Sequence, residues 1–163
     1  MRVLSFILLL VIVSITYSCE EQDNYSEIPV ISFNSFTVNY KTYPGPETKL
    51  VGTLKFGFVD GDGNIGFKEN NDTIPDNNII DILITEFYKK DGLFVQQQKG
   101  PYALPYFDDK VYRKTVKGDI EVYFIREGYS PDTVYYECYI IDRDYNQSNI
   151  ITTDTIIYSE YFK

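Results

Sequence analysis

Apolar and polar residues alternate with a period of two along most of this chain, most plainly between positions 50 and 59. There Leu50, Gly52, Leu54, Phe56 and Phe58 fall on one face and Val51, Thr53, Lys55, Gly57 and Val59 on the other. Such a segment is a β-strand laying one face on a core. Upstream, Ile31, Phe33, Phe36, Val38 and Tyr40 predict a strand over residues 30–40 whose face switches at Asn34-Ser35, as at a bulge. Residues 79–90 read as the next strand, with Ile80, Ile82 and Ile84 on one face, and Asp91-Gly92 as a tight hairpin turn into Leu93-Phe94-Val95. Tyr43-Pro44-Gly45-Pro46 and residues 128–131 are turns by their Pro and Gly content. Residues 100–109 hold Pro101 and Pro105 among aromatics and read as a crossover. Residues 111–116 and 119–125 are two short strands or one broken at Gly118, and residues 133–141 and 149–158 close the chain as two long strands. No window keeps a helical period over the roughly 10–12 residues that a helix needs.

About seven strands separated by turn signals predict an antiparallel sandwich. Asp132, Tyr136 and Cys138 have the spacing of the F strand in immunoglobulin-like domains, where a tyrosine corner sits two residues before the Cys. The usual disulfide partner and the core Trp are missing. Cys138 alternates with Val134, Tyr136 and Ile140, so it reads as a small buried apolar residue rather than a nucleophile. The expectation is an all-β chain, with an antiparallel immunoglobulin-like β-sandwich over residues 30–163.

Composition narrows the function. A chain of 163 residues makes one domain, and 44% hydrophobic and 17% aromatic residues exclude wholesale disorder. The 16 Tyr and 11 Phe, with no Trp, favour strands. A net charge of −9 leaves no basic face for nucleic acid and disfavours lying flat on anionic lipid. The absence of His removes the commonest general base near neutral pH and the commonest zinc ligand. Cys19 and Cys138 are the only cysteines, so no disulfide framework can be drawn.

The N-terminus reads as an address. Arg2 precedes an apolar run over residues 3–15, too short to span a bilayer comfortably, which ends in Thr16-Tyr17-Ser18-Cys19. This resembles a bacterial lipoprotein signal over residues 1–18; the resemblance implies cleavage before Cys19 and acylation of that residue. Thr16 and Tyr17 depart from the strict pattern and match its looser Bacteroidota form. The alternative is an ordinary signal peptide with a Cys nearby by accident. Several acyl chains anchor stably where one is reversible. Glu20-Glu21-Gln22-Asp23 opens an acidic tether over residues 19–29 and resembles the surface-export signal of Bacteroidota lipoproteins, with a plain solvated tether as the alternative. The expected location is therefore the outer membrane, at the cell surface or else facing the periplasm.

The chemically suggestive stretch is Asp60-Gly61-Asp62-Gly63-Asn64-Ile65-Gly66. Aligned on Gly63 as the invariant glycine of an EF-hand loop, it places Asp60, Asp62, Ile65 and Glu69 correctly, but the first ligand position falls on Phe58. It is not an EF-hand. If residues 50–59 are strand B and residues 133–141 strand F, the B–C and F–G loops emerge at one end. Asp60, Asp62 and Asn64 then approach Asp142, Asp144 and Asn146, a set of hard oxygens suited to Ca2+. The same residues are also what turns are made of, and Arg143 stands ready to neutralise the acids without a metal. No other cofactor is indicated.

Weaker signals complete the list. Tyr102, Tyr106 and Phe107 could form an aromatic platform for a sugar or peptide, or plug the open edge of a sandwich. Asp72-Thr73-Ile74, Asp132-Thr133-Val134 and Asp154-Thr155-Ile156 resemble the O-glycosylation acceptor of exported Bacteroidota proteins; the latter two are expected to enter strands, which leaves Thr73.

Cys19, the Phe58-to-Gly66 stretch and the closing Asp142-Arg143-Asp144-Tyr145-Asn146-Gln147-Ser148-Asn149 together resemble a group of uncharacterised Bacteroidota lipoproteins with an immunoglobulin-like fold. The resemblance implies fold and address and carries no activity. The leading expectation is a non-enzymatic lipoprotein that binds a ligand or joins an envelope assembly through a protein or glycan partner. A glycan-binding accessory protein is the alternative, and a carboxylate-based hydrolase stands last because His, an exposed Cys and a nucleophile motif are all missing.

Overall fold

The computed structural model describes residues 25–42, 47–66, 81–107, 115–128 and 130–162. Cys19, the segment around it, Thr73 and Glu69 lie outside the described residues. Among the described residues, eight strands form two antiparallel sheets: β1 (Val30–Thr42), β2 (Thr48–Asp60) and β5 (Val116–Arg126) in one; β3 (Ile82–Lys90), β4 (Leu93–Tyr102), β6 (Thr133–Ile140), β7 (Ile151–Thr152) and β8 (Ile156–Ile157) in the other. The orders β1-β2-β5 and β4-β3-β6-β7 correspond to strands A-B-E facing C′-C-F-G of an immunoglobulin-like sandwich.

Local chemistry explains the strand details. β1 pairs with β2 from Val30↔Val59 to Thr42↔Thr48, and its register slips between Phe33 and Ser35, where the apolar phase of the sequence switches. Asp91 (φ 51°) and Gly92 (φ 84°) both take the left-handed conformation that a two-residue turn between β3 and β4 requires. β4 extends to Tyr102, so the first residues of the 100–109 stretch expected as a crossover are strand instead. The register shifts opposite Ile82/Ile84, and Gly100 (φ 103°) absorbs the extra residue. Because β4 is an edge strand, the missing N–H of Pro101 is tolerated. β5 runs unbroken through Gly118, which pairs with Phe58.

The closing segment departs from expectation: residues 149–158 are not one long strand. β7 pairs with Cys138 and Glu137, β8 with Val134 and Thr133, and one extra residue lies between them. Thr153 bridges the gap: its N–H donates to the Tyr136 carbonyl (3.0 Å) and its hydroxyl accepts from the Tyr136 N–H (3.0 Å). A side-chain oxygen thus stands in for a ladder carbonyl. A 3-10 helix, Tyr158–Tyr161, follows, and its Ser159 N–H and hydroxyl donate to Asp132 (2.6 and 2.9 Å).

Between the sheets lies an aromatic core. Phe124 stacks on Tyr136 with centroids 4.2 Å apart, and Phe36 stacks on Tyr136 at 5.5 Å. Leu54, Phe56, Ile84, Val134 and Ile140 are fully buried around them. Cys138 is buried too, and burial pushes its thiol up to about 12, so it behaves as a small hydrophobe.

One charged cross-link spans the sandwich. Arg126 Nη1 of β5 donates to Glu86 Oε2 of β3 (2.9 Å), and Lys99 Nζ lies 3.0 Å from Oε1. The Tyr136 hydroxyl donates to Glu86 Oε2 (2.8 Å), and the Arg126 guanidinium stacks 4.1 Å from the Tyr158 ring centroid and donates to the Pro131 carbonyl. The tyrosine-corner expectation for Tyr136 is corrected on this point: its hydroxyl goes to a buried carboxylate, not to the backbone upstream.

Candidate functional site

Two loops form the end of the sandwich where β2 and β6 stop. One runs from Asp60 to Gly66 and the other from Ile141 to Asn149, and hydrogen bonds tie them together. The Arg143 backbone N–H donates to the Asn64 carbonyl (3.2 Å), as does its Nε (2.7 Å), while its guanidinium nitrogens reach the carbonyls of Gly63 (3.3 Å) and Phe107 (3.2 Å). Asn64 Nδ2 donates to Asp62 Oδ2 (2.9 Å) and to Asp144 Oδ2 (2.9 Å), so one amide holds a carboxylate from each loop.

Most of the second loop has a structural task. Asp142 is fully buried, and its carboxylate accepts from the backbone N–H and Nδ2 of Asn146, both at 2.8 Å. The Ser148 hydroxyl accepts from the Ile140 N–H (3.0 Å), and the Asn149 amide pairs with both backbone groups of Ile31 (2.9 Å each), locking the loop exit to β1. Tyr145 sits at φ 64° at the exposed tip.

Asp60 is different. It is fully buried at the last position of β2, and neither carboxylate oxygen meets a donor in hydrogen-bonding geometry. Burial first, then the charges of Asp62 and Asp142, push its carboxyl up to about 7, against a weaker opposing pull from the Asn64 backbone amide. The buried Oδ1 of Asn64 also lacks a donor. Among the described residues, no group of three or more His, Cys, Asp or Glu side chains stands in metal-holding geometry.

The N-terminal segment enters at this same end. The Gly61 N–H donates to the Ser26 carbonyl (2.9 Å), and a Cβ at Gly61 would collide with that carbonyl, so only glycine allows the approach.

The aromatic residues of the crossover do not share one platform. Tyr102 is half-buried, edge-on to Phe124 at 6.5 Å, and burial raises its hydroxyl pKa; Phe107 packs against the core. Tyr106 is exposed, with the Arg143 guanidinium 4.9 Å from its ring centroid. Tyr102 instead lines a lateral cleft of about 430 Å3 between the sheets, with Leu104, Glu121, Val122 and Tyr123. Thr155 is corrected: it lies exposed in the break before β8 rather than inside a strand, whereas Thr133 begins β6.

Three residues of structural weight were not singled out from the sequence: Asp81, Glu86 and Arg126. Asp81 is fully buried; its carboxylate accepts from the Leu104 N–H (2.8 Å) and its carbonyl from the Ile141 N–H (2.8 Å), joining the crossover to the second loop. Glu86 is in phase with Ile82 and Ile84, and Arg126 with Val122 and Phe124, so a charge on an inward-facing position was the available signal.

In comparison with known proteins, no protein-family model matches the chain, and no curated protein or solved structure matches it.

Proposed function

We propose that this chain is a lipid-anchored, non-enzymatic binding module of the bacterial outer membrane, held at the cell surface through Cys19. The observation that carries this reading is the short apolar run behind Arg2 that ends at Cys19, followed within a few residues by an independent β-sandwich. The orientation supports it. Tyr25 and Ser26 lie against the acidic end, and the six residue-to-residue steps from Cys19 to Tyr25 reach at most roughly 20 Å when extended. The acidic end therefore faces the membrane, and the Asp91-Gly92 hairpin, with exposed Leu93 and Phe94 beside it, points away, where a partner protein would meet it.

A second reading, a glycan-binding accessory protein, draws on the lateral cleft, which Tyr102, Glu121 and Tyr123 all line. A glycan array separates the two.

The test is metabolic labelling with an alkyne fatty acid in a Bacteroidota host. The reading expects label on the wild-type chain in the outer-membrane fraction, lost in Cys19→Ala together with membrane retention. A wild-type chain that is unlabelled and soluble overturns it.

A further inference from the structure

We infer that the acidic end is a calcium site, built around Asp60 with Asp62 and Asn64 from the first loop and Asp142 from the second, and with Asp144 at its rim. The inference is independent of the lipid anchor.

A ring of acids alone is ordinary turn chemistry, and the hydrogen bonds of Asp142 to Asn146 fit that description. Asp60 does not fit it. A carboxyl with no exposed surface, whose oxygens meet no donor in good hydrogen-bonding geometry and feel only a weak pull from the Asn64 backbone amide, is costly for a fold to hold charged. Its strongest electrostatic neighbours are two further carboxylates, Asp62 and Asp142. The buried Oδ1 of Asn64 is a second acceptor without a donor in the same loop. A buried acid without a well-placed donor, beside two further carboxylates, is complementary to a cation.

The chemistry selects the ion. All the candidate donors are hard oxygens, carboxylate and amide, with no His in the chain and Cys138 buried in the core of β6. That excludes the usual zinc and copper donor sets. Calcium accepts six to eight oxygens in irregular geometry, whereas magnesium demands a near-ideal octahedron and keeps its waters. Two loops from different strands, one ending in a buried carboxylate, suit the larger and more tolerant ion. Asn64 Nδ2 now holds Asp62 and Asp144 together as a weak positive pole would. Rotating that amide turns Oδ1 toward the carboxylates and supplies a ligand. The carboxylate of Asp142 has lone pairs left after its two bonds to Asn146.

The test compares thermal unfolding, by circular dichroism, of the full-length chain in mild detergent with calcium, with magnesium and with a chelator. Calcium at about one hundred times its dissociation constant should raise the wild-type midpoint by roughly 5–10 °C, and magnesium by less. In Asp60→Asn the calcium response should vanish while the midpoint in chelator stays level or rises, because a buried acid without a well-placed donor has gone. Asp62→Asn, at a partly exposed position that tolerates the change, should shrink the response. Equal wild-type midpoints in calcium and chelator overturn the inference, as does a calcium response that survives in both variants.

Discussion

Arg126→Met isolates the charged cross-link between the sheets. In the wild type, the Arg126 and Glu86 side chains are 5% and 0% exposed and meet at 2.9 Å. Removing the guanidinium leaves the Glu86 carboxylate buried, with Lys99 and the Tyr136 hydroxyl remaining beside it at 3.0 and 2.8 Å. Breaking a buried pair from one side costs about 3–5 kcal/mol, because the stranded charge keeps its full desolvation penalty. The Lys99 ammonium, 29% exposed at its side chain, offsets part of that, so a loss of about 3 kcal/mol is expected. For a domain of this size that lowers the midpoint by roughly 6–12 °C. Glu86→Gln/Arg126→Met removes both charges and should recover more than half of the loss. Urea denaturation of the wild type, both single variants and the double variant gives the coupling directly. An Arg126→Met loss below about 1 kcal/mol, or a double variant no more stable than Arg126→Met, refutes the cross-link as a coupled buried pair.

Three further outcomes follow from the same geometry. In chelator, the native Asp60 carboxyl holds its proton up to about pH 7, while the unfolded chain releases it near 3.8. The native state therefore binds more protons between these values, and the Asp60 contribution to stability falls as pH rises through that window, by about 2–4 kcal/mol. Subtracting the Asp60→Asn profile from the wild-type profile should expose this slope, and parallel profiles contradict it. Cys138, 1% exposed and with its thiol pushed up to about 12, should stay unreactive toward a disulfide reagent at pH 8 in the native chain and react readily in urea; comparable rates contradict its burial. Gly52→Ala places a methyl against the Tyr158 hydroxyl and 2.6 Å from Phe36 Cζ, and should cost about 1–3 kcal/mol in urea denaturation; unchanged stability contradicts the packing of β2 beneath those rings.

Much of the fold is legible because one face of each long strand is buried. The switch of apolar phase at Asn34-Ser35 marks a real register slip, since a one-residue slip exchanges the faces. Asp91-Gly92 announces its turn because few residue pairs tolerate left-handed φ twice in succession. The closing strand was misread because Thr153 uses its hydroxyl as a ladder acceptor, and composition does not distinguish that from an ordinary strand Thr. Pro101 suggested a break that an edge strand with a glycine bulge absorbs. The meeting of the two acidic loops follows from strand order alone, and the Arg143–Asn64 and Asn64–Asp144 hydrogen bonds are its local form. That Asp60, rather than Asp62 or Asp142, is the carboxylate without a well-placed donor depends on where Asn146 and Asn64 aim their N–H groups, which spacing does not encode.

The most direct measurement of the central claim is amide hydrogen exchange of the wild-type chain with and without calcium. If Asp60 organises one cation site from two loops, protection should rise together over residues 60–66 and 141–149, with the distal Asp91-Gly92 hairpin unchanged. Identical exchange in both loops with and without calcium would contradict the account.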